Sequence, residues 1–313
     1  MEQPIDTAVL FLIFNRPETT ERVFEAIRQA RPPRLYVSAD GARADRDGEA
    51  QRCEQARRIA TAVDWPCELH TQLHTQNLGC RRAVTGAIDW FFAQEAEGIV
   101  LEDDILPVPG FFAFCEALLA RYRDDDRVWA ISGCNFVADR YRADASYFFS
   151  HHNHVWGWAS WRRSWQRYDL EMRQWPQWAR SGALLRHLGG DRCAADYWRE
   201  KFRRIYRGHE PSAWDYQWML SAWEHDAHTI LPAHNLVTNL GFGAAATNTT
   251  KPPAGFITRN PARDIGLPLR HPARVERDAQ ADLLIRRHVT GLTHWRCLKR
   301  SLRRLRPGAS QPD

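Results

Sequence analysis

The first 140 residues alternate short, largely apolar segments with segments in which apolar residues recur at three- and four-residue steps. Ala8–Phe14, Leu35–Ser38, Glu68–Leu73, Gly98–Leu101 and Val128–Ser132 predict strands; Glu18–Gln29, Glu49–Val63, Gly79–Ala93 and Pro109–Tyr122 carry the helical spacing. Such alternation predicts an α/β fold with a mostly parallel central sheet flanked by helices. Ligands in such sheets gather where the strands end at their carboxyl side. Those ends are polar here: Asn15-Arg16, Ala39-Asp40-Gly41, Asn77-Leu78-Gly79 and Glu102-Asp103-Asp104. Turn chemistry alone explains Asp40-Gly41 and Asn77-Leu78-Gly79. It does not explain Arg16 or three consecutive acids.

Beyond residue 140 the pattern loosens and aromatics crowd in. Ten of the 14 tryptophans fall between Trp156 and Trp223, which marks this stretch as the half suited to an organic acceptor. Most of these rings are expected in the core and one to three on a ligand wall, since a concave site needs few aromatic walls. The run Lys251 to Pro272, rich in proline and glycine, reads as an extended connection. After it, Ile285, Val289, Leu292, Trp295, Leu298, Leu302 and Leu305 form an apolar stripe under an arginine-rich face, interrupted at Gly291. Such a basic amphipathic helix either lies on an anionic membrane surface or packs on the domain with its basic face solvated. The chain thus divides into 1–140, 141–255 and a 256–313 segment of connection and tail.

With 313 residues, a chain can bury roughly three quarters of its unfolded surface. Apolar residues at 44% and charged ones at 26% are those of a globular protein, and a net charge of +5 is mild. Basic residues concentrate at the tail while acids mark the proposed cleft, so no nucleic-acid partner is expected. The seven cysteines are scattered singly, which predicts neither a zinc site nor a disulfide framework. The apolar run near the amino terminus is too short for a membrane span and wrongly flanked for a signal peptide. These features predict a cytoplasmic protein, peripheral on the inner face of the membrane if the tail docks there.

The chemistry concentrates at Ile-Val-Leu-Glu-Asp-Asp, residues 99–104. A strand sends Glu102 and Asp104 to one face and Asp103 to the other. Two carboxylates about 4 Å apart repel by roughly 4 kcal/mol at an effective dielectric near 20, so the pair calls for a cation. Mg²⁺ or Mn²⁺, with hard oxygen ligands shared with the phosphates of a nucleotide, suits it best. Two further features carry alternatives. In His151-His152-Asn153-His154, alternation places His152 and His154 on one face, for a metal, a substrate contact or a structural role. Ser212-Ala213-Trp214-Asp215 reads as a capping box opening a helix that runs to Trp223.

Taken in order, VLFLIFNRPETTERV, YVSADG, NLGCRRAVTGAIDWFF and VLEDDILPVPGFFAF resemble glycosyltransferases of the GT-A fold. The nearest likeness is to the group around N-acetylglucosaminyltransferase I and related bacterial sugar transferases, over roughly residues 8 to 250. The resemblance implies a Mn²⁺- or Mg²⁺-dependent, inverting transfer of a sugar from a nucleotide-sugar donor, a UDP-sugar such as UDP-N-acetylglucosamine. The acceptor would be a glycan or a lipid-linked glycan in surface polysaccharide synthesis. It further implies Asp104 as metal ligand, Glu102 and Asp103 on donor sugar and ribose, and Asp40 on the uracil base. Asn15, Arg16 and Arg81 would be further donor contacts. PSAWDYQWML resembles the segment with the catalytic base, where the family shows two adjacent acids and this chain only Asp215. NLVTNLGFGAAAT resembles the loop over the donor phosphates, with Gly243 and Thr247 as contacts. The competing enzyme class, a sugar-nucleotide nucleotidyltransferase, expects a glycine-rich phosphate loop after the first strand, where Asn15-Arg16-Pro17-Glu18 stands instead. A non-enzymatic membrane- or nucleic-acid-binding module would rest on the basic tail alone.

Overall fold

The structure, a computed structural model, describes residues 4–242, 260–292 and Cys297. Its centre is an eight-stranded sheet in the order β3-β2-β1-β4-β8-β6-β9-β7. These strands are β1 (Val9–Ile13), β2 (Arg34–Ala39), β3 (Glu68–Leu73), β4 (Glu97–Glu102), β6 (Val128–Ser132), β7 (Tyr147–Ser150), β8 (Trp158–Trp161) and β9 (His228–Pro232). β3, β2, β1 and β4 run parallel, as do β6 and β9, while β8 is antiparallel between β4 and β6 and β7 antiparallel at the edge. The expected α/β class with a mostly parallel sheet is what the chain adopts, and it is compatible with a GT-A-like nucleotide-sugar-binding fold.

Helices α1 (Pro17–Ala30), α2 (Glu49–Ala60), α3 (Cys80–Gln94) and α4 (Gly110–Arg121) connect the strands of the first half. Every residue of β1 is buried, as a strand covered on both faces requires. On α1, Val23, Phe24 and Ile27 recur at helical spacing on the buried face, and Pro17 occupies the first turn, where its missing N–H costs nothing. β3 sits at the edge and is half exposed, so its mixed sequence suits it.

In the second half, α5 (Arg162–Trp165), α6 (Trp175–Arg180), α7 (Ala183–His187), α8 (Arg192–Tyr206) and α9 (Asp215–Glu224) pack with α3 on one face of the sheet, opposite α1, α2 and α4. Eight of the ten tryptophans between Trp156 and Trp223 are buried, in keeping with a mainly structural role; Trp156 and Trp178 remain partly exposed. A small two-stranded sheet joins β5 (Ile105–Pro107) to β10 (Val237–Asn239), pairing Asn239 with Ile105. That pairing lays residues 239–242 beside the acids at the end of β4.

Three expectations need correction. The capping box does not form: Trp214 stands at the N-cap without a side-chain cap bond, and α9 starts at Asp215 itself. The backbone turn that precedes it, with Ala213 N donating to Glu210 O, leaves Ser212 outside the helix start. The tail stripe is not one continuous helix. α10 (Ala279–His288) ends before Gly291, whose φ of +68° lies in the left-handed region that glycine adopts freely. Ile285 and Leu292 are buried in the core and Val289 is exposed; Trp295, Leu298, Leu302 and Leu305 lie outside the described residues. Finally, Cys193 on α8 and Cys297 form a disulfide, 104 residues apart in sequence, a pairing that isolated spacing could not reveal. Of the Lys251–Pro272 run, residues 260–272 are described and carry no helix or strand. Among the described residues, no helix is long and apolar enough to cross a membrane.

Candidate functional site

A cleft opens at the carboxyl ends of β1, β2 and β4. Its walls include Phe14, Arg16, Asp40, Glu102, Asp103, Asp104, Trp156, Gly241 and Phe242. β1 and β4 are parallel neighbours with Leu12 opposite Glu102, so the chain leaving β1 passes directly over the acids. There Phe14 N donates to Asp103 Oδ2 at 2.9 Å. Arg16 Nη1 reaches Asp104 Oδ2 at 2.5 Å and Asp103 Oδ1 at 3.5 Å.

One guanidinium does not balance this much negative charge. Burial raises the Glu102 carboxyl to about 8, helped by the negative charges of Asp104, Asp103 and Asp215. Asp103 is raised to about 7, again first by burial and then by Asp104. Burial also raises Asp215, against the backbone N–H groups at the start of α9. The other arginine on the cleft wall, Arg43, is committed: its guanidinium grips buried Glu49, whose carboxyl its hydrogen bonds hold down at about 2. A cluster of hard oxygens that resists full ionisation is the donor set a divalent Mg²⁺- or Mn²⁺-type ion takes. Glu102, Asp103 and Asp104 supply oxygens of that type, although among the described residues only His151, His152 and Asp282 bring three ligand atoms within 4.8 Å of one another.

The end of β2 is built differently. Asp40 accepts from Gly41 N and Leu78 N through Oδ1, and from Gly79 N and Asn77 Nδ2 through Oδ2, at 2.8–3.0 Å. An ionised carboxylate offers about four lone-pair sites, and here all are used within the protein. Asp40 thus ties the loop before α3 to the end of β2. Gly41 permits this closeness, because a Cβ there would fall 2.3 Å from the backbone carbon of Gln76.

Opposite the acids, Leu240 N donates to Asp104 O at 2.7 Å, and Gly241 presses on the Asp104 carboxylate so closely that a Cβ would lie 2.0 Å from Oδ2. Phe242 meets Trp156 edge-on with centroids 5.7 Å apart. An apolar, aromatic wall thus faces a carboxylate floor, a combination suited to a ligand with a flat face and a charged end.

Of the residues singled out from sequence, Arg16, Asp40, Glu102, Asp103 and Asp104 line the cleft, and Asp215 lies close enough for its charge to act on Glu102. Two do not join them. Asn15 turns away to Glu49 at 2.7 Å, and Arg81 binds Leu170 O and Glu171, on the side of α3 facing the 170s loop. Gly243 and Thr247 lie outside the described residues. Trp156, Gly241 and Phe242 went unassigned in the sequence; Gly241 and Phe242 do belong to the Asn-Leu-Gly-Phe-Gly run resembling a donor loop. His152 and His154 stack with near-parallel rings 6.5 Å apart, on one face as the alternation expects, but only His152 joins His151 and Asp282, and the His154 ring packs on Phe136.

No family model matches the chain, and no curated protein is similar to it in sequence. Among solved structures, that of HddC from Yersinia pseudotuberculosis aligns with 50% of this chain and 77% of its own, at 12% identity and a TM-score of 0.31. A likeness that loose supports no statement about activity.

Proposed function

We propose that the cleft binds a nucleotide-sugar donor with a divalent metal ion and transfers its sugar, with inversion, to a glycan or lipid-linked hydroxyl. One observation carries the reading: Glu102, Asp103 and Asp104 meet at the carboxyl end of β4, where burial and then neighbouring negative charge raise the Glu102 and Asp103 carboxyls, at the place where an open α/β sheet receives its ligand. The resemblance of four ordered motifs supplies the donor class, with UDP as its nucleotide.

Asp104 holds the ion in this reading, and Arg16, now shared by Asp103 and Asp104, turns to the diphosphate. Bound there, Mn²⁺ or Mg²⁺ offsets the charge of the departing diphosphate. Glu102 and Asp103 face the donor's ribose and sugar hydroxyls. Trp156 and Phe242 offer the aromatic wall against which a sugar or base face packs. Asp215, poised at the start of α9, accepts the acceptor hydroxyl's proton as the new C1–oxygen bond forms and the C1–phosphate oxygen bond breaks. A carboxylate whose pKa burial has raised is a stronger base once ionised, so turnover rises with pH through its titration.

The test is nucleotide binding with and without metal. Asp104→Ala should remove the Mn²⁺-dependent part of UDP affinity and of thermal stabilisation by UDP while leaving the metal-free melting temperature close to wild type. Unchanged UDP affinity in the presence of Mn²⁺ would overturn the assignment. Release of pyrophosphate from a nucleoside triphosphate and a sugar phosphate would mark nucleotidyl transfer instead.

A further inference from the structure

We infer that His151, His152 and Asp282 form a binding site for a zinc-type divalent ion, separate from the cleft and joining the end of β7 to α10. His151 and His152 follow β7 directly, and Asp282 comes from the first turn of α10, 130 residues later in the chain. All three are buried, and their ligand atoms lie within 4.8 Å of one another. His151 Nε2 and His152 Nε2 stand 3.1 Å apart, and Asp282 Oδ2 is 3.9 Å from His151 Nε2. Two imidazole nitrogens and a carboxylate oxygen are the ligand types zinc takes, at about 2.0–2.2 Å each, so atoms this close can share one ion after small adjustments. None of the three lines the cleft.

The surroundings orient these ligands as a metal site's supporting groups do. Ser150 Oγ donates to Asp282 Oδ1 at 2.6 Å, fixing the carboxylate with Oδ2 turned to the histidines, and accepts from His152 N at 2.9 Å. Trp223 Nε1 holds the His151 carbonyl at 2.6 Å.

One residue opposes the ion. Arg277 places Nη1 3.1 Å from His151 Nδ1 and Nε 3.1 Å from Asp282 Oδ2. A guanidinium only donates, so it keeps Nδ1 of His151 unprotonated and leaves the neutral ring's proton on Nε2, where it can bridge to His152. Without metal, the cluster is therefore held by one proton and one guanidinium. Metal entry exchanges both. The His151 proton moves from Nε2 to Nδ1, freeing the Nε2 lone pair, and Arg277, 31% exposed, swings into solvent. Arg277 therefore competes with the ion, and any proton that burial holds on the Asp282 carboxyl leaves to solvent when the ion binds.

Full-length protein in an Asp104→Ala background, where the cleft contributes least, is titrated with Zn²⁺ and with Co²⁺. One equivalent should bind, and the Co²⁺ complex should show the strong visible absorption of four-coordinate nitrogen and oxygen ligation, not the faint bands of a six-coordinate oxygen site. His152→Ala and Asp282→Asn should each weaken Zn²⁺ binding by more than about tenfold. Arg277→Gln, which removes the competitor and no ligand, should tighten it, a readout that survives if the ligand variants fail to fold. Zinc binding unaffected by His152→Ala and Asp282→Asn, or absent from both the parent and Arg277→Gln, would overturn the site.

Discussion

Asp40 and Asp103 occupy equivalent places, each buried at the carboxyl end of a parallel strand, yet they are in opposite states. Asp40 receives four N–H donors and organises the 77–79 loop around itself. Asp103 receives one backbone N–H and a share of Arg16, and its neighbours are acids. A buried carboxylate that the protein fully satisfies is part of the architecture; one that it leaves short of partners is available to a ligand. The end of β2 is finished, whereas the end of β4 awaits positive charge.

The largest effect should come from the reactive side of that contrast. Asp215→Asn keeps the shape of the helix start but removes the basic lone pair, so turnover should fall by about a hundredfold or more, with donor affinity and melting temperature little changed. A steady-state assay with a UDP-sugar beside a donor-binding titration separates the two. Near-normal turnover would shift the role of base to another carboxylate, Glu224 or Glu210.

Asp40→Ala should show the reverse profile. Removing a buried carboxylate strands the amides of Gly41, Leu78 and Gly79, and the loss should be about 3 kcal/mol of stability. Denaturant unfolding measures it. A variant of native stability that had lost only UDP affinity would make Asp40 a base reader, as the family resemblance implies, and would erase the contrast with Asp103.

The two ends also differ in what the sequence let one read. The alternation of periods located the strands and helices of the first half to within a few residues, because each element there is covered on a defined face. Glu102-Asp103-Asp104 announced itself, since nothing in a strand end requires three acids. Asp40 was visible as a residue but not as a hub: three of its four donors come from a loop nearly forty residues on, and its saturation is a property of the folded turn. Arg81 looked like a donor contact on a basic helix start, yet α3 turns that side to Glu171. Asp282 was out of reach, since its partnership with His151 and His152 depends on α10 returning to the edge of the sheet. The disulfide between Cys193 and Cys297 was hidden for the same reason.

Acidity should separate the strand ends more gently. Glu102, raised to about 8 in the fold, releases its proton near pH 4.3 when unfolded. Between these values the folded state holds a proton that the unfolded state lacks, so the contribution of Glu102 to stability falls as pH rises from about 4 to 8 and is constant above. Buried His151 and His152, pushed well below their usual range by burial, act in the opposite direction, which makes the difference between wild type and Glu102→Gln the quantity to follow. In chelator, wild type should lose stability relative to Glu102→Gln across that window, and Mn²⁺ should abolish the divergence. Parallel melting profiles for the two proteins would mean that Glu102 is not held against its charge.

The smallest expected change tests whether the floor of the cleft is set by its lid side. Gly241 is not in the left-handed region, so alanine there costs the backbone little. Its Cβ, however, would lie 2.0 Å from Asp104 Oδ2, and the carboxylate is the part able to move. Gly241→Ala should therefore push Asp104 off its contact with Arg16 and, if Asp104 is the metal ligand proposed above, weaken Mn²⁺-dependent UDP binding by about tenfold, or about 1.4 kcal/mol, with little change in metal-free stability. Calorimetric titration of UDP with and without Mn²⁺ reads both terms. If affinity held while stability dropped, the strain would have been absorbed by the backbone of residues 239–242, and the position of Asp104 would be set by β4 and Arg16 alone.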